Sequence, residues 1–173
     1  MRIRNAFVVV GAATALSALA GEALASGSVS ATANATVTVL SPVSLTKTQD
    51  LVFGQVVRPS TGTNTVDLDT NDTVTLSGTG NGSLVNSTTT SAKFNVVATS
   101  AITYTTTQTL SFAQTGLTNI SVTAPVATTG TLGQIPGSSG GTQEIRYGAQ
   151  FDVSTATTAQ PYTGTLSVTV NYN

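Results

Sequence analysis

Three carboxylates crowd into the stretch VDLDTNDTVTLSG: Asp67, Asp69 and Asp72. Two chemistries use such a group. A pair of carboxyls flanking a glycosidic bond hydrolyses it, one as acid and the other as base or nucleophile. Acids at every second position also open a calcium loop, and Asp67, Asp69 and Asn71 fall at its positions one, three and five. The loop pattern then breaks. Position six is Asp72 where Gly makes the bend, and position twelve is Gly78 where a bidentate Glu is needed. Against both stands a local reading, in which Asp69, Thr70, Asn71 and Asp72 form a hairpin turn whose side chains cap its own amides. Calcium binding is a weak expectation here, and no metal or other cofactor is assigned.

The rest of the inventory is short. His and Cys are both absent. A Ser-His-Asp arrangement, zinc held by His and Cys, thiol catalysis and disulfide staples are therefore excluded. Ser, Thr and Tyr are plentiful, but none comes with a base to activate it. The chain holds no catalytic constellation and is expected not to be an enzyme.

The elements that would carry these residues are strands. Beyond the N-terminus, apolar residues recur at every second position between clusters of Gly, Asn, Ser and Pro, and no stretch shows a helical period. Strands are expected at 29–39, 51–57, 64–69, 73–77, 92–97, 102–106, 109–112, 119–122, 145–153 and 162–172. Val66 and Leu68 can face Val74 and Leu76 across the acidic turn. The stretches SGTGNGSLVNS and IPGSSGGTQ read as mobile loops. Thr-rich TYTTTQTL reads as a strand with a solvated face rather than an ice-binding rank, because it does not repeat. Short strands without helices between them point to an all-β sandwich of two packed sheets.

The two ends are the most regular parts. One face of the last strand is Tyr162, Gly164, Leu166, Val168, Val170 and Tyr172. Near the other end Val29, Ala31, Ala33, Ala35, Val37 and Val39 alternate with Ser, Thr and Asn. Each pattern predicts a half-buried strand.

Residues 1–25 read as an export signal: Arg2 and Arg4, an apolar run from Ala6 to Ala20, and the small residues Ala23 and Ala25 around Leu24. An uncleaved anchor or a core helix is the alternative. Cleavage after Ala25 leaves 148 residues, one domain over 26–173, long enough to bury roughly two thirds of its unfolded surface. Lys47, Arg58, Lys93 and Arg146 then face Asp50, Asp67, Asp69, Asp72, Glu144 and Asp152, for a formal net charge of −2. Such a chain has no basic stripe for nucleic acid and no polybasic patch for lipid. Stable membrane insertion is not expected once the signal is removed. Low charge with abundant Thr, Ser and Asn is a composition also met in exported surface proteins.

Three stretches together resemble the DUF4402 family of exported bacterial β-sandwich proteins. They are ATANATVTV, VSLTKTQDLVFG with Phe53-Gly54, and YTGTLSVTVNYN. More distantly the chain is similar to the spore coat protein U family and archaic chaperone-usher pilins. The likeness covers the first and last quarters of the mature chain; the cysteines usual near the first strand of such pilins are missing. The resemblance implies a non-catalytic surface subunit, periplasmic in transit, with an incomplete immunoglobulin-like fold. A periplasmic chaperone and then a neighbouring subunit would supply the missing strand, with an outer-membrane usher and a homo-polymer or related subunits as partners. On that likeness 26–40 is the donor segment, presenting Val29 to Val39, and the strand from Tyr162 to Tyr172 borders the receiving groove. A monomeric module binding glycans or another surface ligand, and a carboxylate hydrolase, remain as alternatives.

Overall fold

The computed structural model describes residues 28–39 and 42–172. The chain divides into two compact units, residues 1–37 and 38–173. The signal reading, with Ala23 and Ala25, lies outside the described residues.

The second unit is all-β. Its strands are β1 (Ser44–Gln49), β2 (Gln55–Val57), β3 (Thr63–Leu68), β4 (Val74–Gly78), β5 (Ser83–Val85), β6 (Ala92–Ala98) and β7 (Ile102–Phe112). They are followed by β8 (Thr118–Val122), β9 (Val126–Ala127), β10 (Gln134–Ile135), β11 (Gly141–Tyr147), β12 (Ala149–Ser154) and β13 (Gly164–Tyr172). All pairings are antiparallel, in the orders β1-β6-β11-β9, β4-β3-β12-β8, β10-β7-β13 and β2-β5.

Alternation places the core of this β-sandwich. Ala92, Phe94, Val96 and Ala98 of β6 and Ile145 and Tyr147 of β11 pack against Ile102 and Tyr104 of β7 and Ile135 of β10. A second cluster joins Val66, Phe151 and Val153 to Phe53, Val74, Leu76 and Phe112. Strand β7 contributes to both clusters, since its first residues enter one and Phe112 enters the other. Its Thr103, Thr105, Thr107 and Thr109 point to water, as expected of a solvated threonine face.

The acidic hairpin forms in the expected register, Val66 opposite Leu76 and Leu68 opposite Val74. Elsewhere the sequence reading needs correction. The single strand expected at 145–153 is two strands in different sheets, β11 beside β6 and β12 beside β3. The switch occurs at Gly148, where a Cβ would stand 2.1 Å from the Leu68 carbonyl oxygen. Only a residue without a side chain lets the backbones approach so closely. Residues 102–106 and 109–112 are one strand, and the last strand begins at Gly164 rather than Tyr162. Strand β1 falls where no strand was expected.

The two loop expectations also change. Ser83–Val85 pairs with β2, and Ile135, within the second stretch, is buried in the core. Buried Asn64 ties down the first stretch: its Nδ2 donates to the carbonyls of Ser77 and Gly80, and its Oδ1 accepts from the Gly82 amide. Gln143, the last residue of the second stretch, binds it to the segment before it, its Nε2 donating to the carbonyls of Thr129, Thr131 and Gln134 while Tyr104 donates to its Oε1. Asn64 is remote in sequence from the stretch it holds, and the partners of Gln143 lie before its own stretch, so neither tie shows in local composition.

A Gly148→Ala variant should lose about 1–3 kcal/mol of unfolding free energy in urea titration, through forced displacement at the crossover between sheets. An unchanged midpoint and slope would show that the backbones have room to separate there.

Candidate functional site

The acidic cluster divides its labour. Asp69 Oδ1 accepts from the amides of Asn71 at 2.8 Å and Thr73 at 2.9 Å, which is the turn cap expected of it. Asp72 departs from that reading. Its backbone is left-handed, φ +66°, and its carboxylate accepts from the Ser91 amide at 2.6 Å and the Ser91 hydroxyl at 2.7 Å. The hairpin is thereby tied to the start of β6. Those bonds, the hydroxyl first, hold the Asp72 carboxyl below the ordinary carboxylate range; desolvation opposes them and Lys93 and Arg146 add smaller help. Asp67 lies on β3 opposite Thr75. Among the described residues, no group of three or more Asp, Glu, His or Cys is placed to hold a metal ion.

A different feature stands out where strands end. In the described residues β1 pairs only with β6 and β13 only with β7, so each has a free edge. The core-facing residues near those edges are incompletely covered. Val43, Leu45, Leu51, Leu166, Val168 and Val170 all pack against the first cluster, yet each stays partly exposed. On β7 the same gradient appears, with Ile102 and Tyr104 buried while Thr106, Gln108, Leu110 and Phe112 are half-buried.

An apolar cleft of about 1010 Å³ opens at this place. The end of β1 and the chain running on to Val56 line it, together with the segment from Thr157 to Leu166. Phe53, Phe112 and Phe151 are among its lining residues and pack on one another, with ring centroids 4.8 Å apart for Phe53 and Phe151, 5.8 Å for Phe112 and Phe151, and 6.5 Å for Phe53 and Phe112. Tilted and edge-to-face pairs of this kind add directional attraction to simple burial. The charges at the cleft already have partners: Lys47 binds Asp50, and Arg58 Nη1 donates to the Thr157 carbonyl at 3.0 Å.

The two expected assembly elements fare differently. Gly164, Leu166, Val168, Val170 and Tyr172 lie on β13, which pairs without a break from Gly164 opposite Phe112 to Tyr172 opposite Tyr104. Tyr162 precedes the strand and donates its hydroxyl to the Thr158 carbonyl. The strand expected at 29–39 is absent: residues 28–39 carry no strand and all are exposed. Val29 is 97% exposed, and Val37 and Val39 are each 86% exposed. Alternation specifies which face a strand would bury, but a strand needs a partner for its amides. The Phe53 cluster was missed as a site. Its one sequence signal was Phe53-Gly54, where Gly54 takes φ +77°; Phe112 and Phe151 join it only through the topology.

The Asp72 carboxylate sets the acid limit of the hairpin contact. Because its folded form binds a proton less readily than the unfolded chain does, its contribution is present at neutral pH and is lost as pH falls through the carboxylate range. Asp72→Asn should therefore lower stability near pH 7 and make the decline below about pH 4 shallower. Urea midpoints measured against pH test this, and parallel curves for the two proteins would refute it.

The model of the DUF4402 family, a domain of unknown function, matches residues 43–172, from just before β1 to the end of β13. No curated protein and no solved structure shows significant similarity to the chain. With the match spanning the strands and the cleft between them, this chain belongs to the DUF4402 family.

Proposed function

We propose that the chain is an exported, non-catalytic structural subunit of a surface fibre, pilus or coat, assembling by β-strand complementation. In this reading residues 29–39 of one copy complete the immunoglobulin-like sandwich of the next. A periplasmic chaperone and an outer-membrane usher would handle the subunit on its way to the surface. One observation carries the proposal: an exposed segment alternating Val and Ala belongs to a chain in whose described residues β1 and β13 each leave an edge unpaired beside an apolar cleft.

The energetics favour pairing over simple adhesion. Full burial of each valine contributes roughly 1.5–3 kcal/mol, and the alanine methyls less. Ordering eleven residues opposes this by about 1–2 kcal/mol per residue. Side-chain burial alone therefore cannot hold the segment, and its backbone must join a sheet edge, the mode of recognition in which main-chain bonds supply affinity and alternate side chains supply fit. The distribution of aromatics supports an assembly role over a glycan platform, since Phe94, Tyr104, Tyr147 and Phe151 are buried.

Placing Arg at position 37 separates assembly from folding. The Val37→Arg chain should fold with wild-type stability, because Val37 is exposed in the isolated subunit, and should fail to polymerise in light scattering or sedimentation. Unfolding of the variant, or a wild-type chain that stays monomeric at every concentration, would defeat the reading.

A further inference from the structure

The edges of β1 and β13 beside the cleft are not equivalent. In the β1 ladder Leu45 stands opposite Val96 and Lys47 opposite Phe94. Directly opposed residues share a sheet face, so Lys47 lies on the same face as two core residues. Its side chain nevertheless remains 56% exposed and lines the cleft, where it pairs with Asp50. A lysine can occupy such a place only by running its stem along the apolar surface and carrying its ammonium out past the edge. Just beyond it the register of β1 shifts between Lys47 and Gln49.

A strand added alongside β1 would close that exit. The ammonium, with or without Asp50, would be enclosed between sheets, and removing an ion pair from water is unfavourable even when the pair survives. Inward charges and bulges are the devices by which edge strands resist further pairing. On β13 neither device is present. Its nine residues pair in continuous register, its core-facing side chains include Leu166, Val168 and Val170, and Thr165, Ser167 and Thr169 face water. The segment 28–39 is free of charge throughout, and its eleven residues from Val29 to Val39 would extend roughly 36 Å, enough to run the length of β13.

We infer that Lys47 closes the β1 side of the cleft and makes β13 the receiving edge for residues 29–39 of a second copy. The inference rests on the strand-complementation reading above, in which the last strand already borders the groove, and adds the residue that excludes the β1 side.

Because the chain has no cysteine, pairs of introduced thiols report the edge directly. A Thr36→Cys chain is mixed under mild oxidation with chains carrying Thr165→Cys, Ser167→Cys or Thr169→Cys on β13, or Thr46→Cys or Thr48→Cys on β1. All six positions are exposed, so folding is spared. The best β13 position should form the intermolecular disulfide at least roughly tenfold faster than either β1 position. In acceptors that also carry Lys47→Thr or, retaining the long stem, Lys47→Met, the β1 positions should rise to within about threefold of β13. Equal rates at the two edges with Lys47 in place, preference for β1, or a β13 preference unmoved in whichever Lys47 variant folds, would overturn the guard while leaving strand assembly standing. Disulfides formed only within one chain would overturn the second copy as occupant. Absence of any cross-link together with a monomeric wild-type chain would remove the complementation reading itself.

Discussion

A sheet edge presents amides and carbonyls that water must satisfy until another strand does, and the edges of β1 and β13 make that demand on either side of one cleft. Coverage of the core follows from it. Strands with neighbours on both sides, β6, β11, β3 and β12, bury their inward residues, as Val96, Ile145, Val66 and Phe151 do. Toward the free edges, Leu45 on one side and Leu166, Val168 and Val170 on the other pack against the same core yet remain partly wet. Among the described residues, the cleft lies where β1 and β13 each end a sheet.

That geometry depends on how two core clusters are made to share one chain. Gly148 lets β11 and β12 enter different sheets within a single residue, and β7 is long enough to serve both clusters. Where β7 ends, Phe112 meets Phe53 and Phe151, so the aromatic lining of the cleft is part of the packing that joins the clusters. Filling the cleft would extend a hydrophobic surface that already exists.

With few charges available, the molecule uses many of them as local ties. Asp72 fastens a hairpin to β6 through Ser91, and Asp152 accepts from Thr65 and Asn119 on the strands flanking β12. Arg58 reaches the Thr157 carbonyl. The exception in position is Lys47, which sits on a core face and is half in water, and its placement matters for what can dock beside it.

Much of this fold was legible in the order of residues alone. Period-two alternation settles the β class and which side chains of β3, β4, β6 and β13 point inward, because a strand has two faces and only one can be buried. The Asp69 turn is equally local, since its partners lie two and four residues away. Tertiary structure decided everything that needs a distant partner. Alternation in Val29–Val39 looks as strandlike as that in β13, yet only β13 has a neighbour, so only β13 is a strand. Asp72 reads as a turn acid until Ser91 is brought to it, and the run at 145–153 reads as one strand until the Leu68 carbonyl shows why Gly148 must divide it. Phe53, Phe112 and Phe151 stand far apart along the chain and meet only because the sheets pack. Local periodicity encodes a face; hydrogen-bond partners and close approaches are properties of the assembled sheets, and they determine which faces find a neighbour and which are left open.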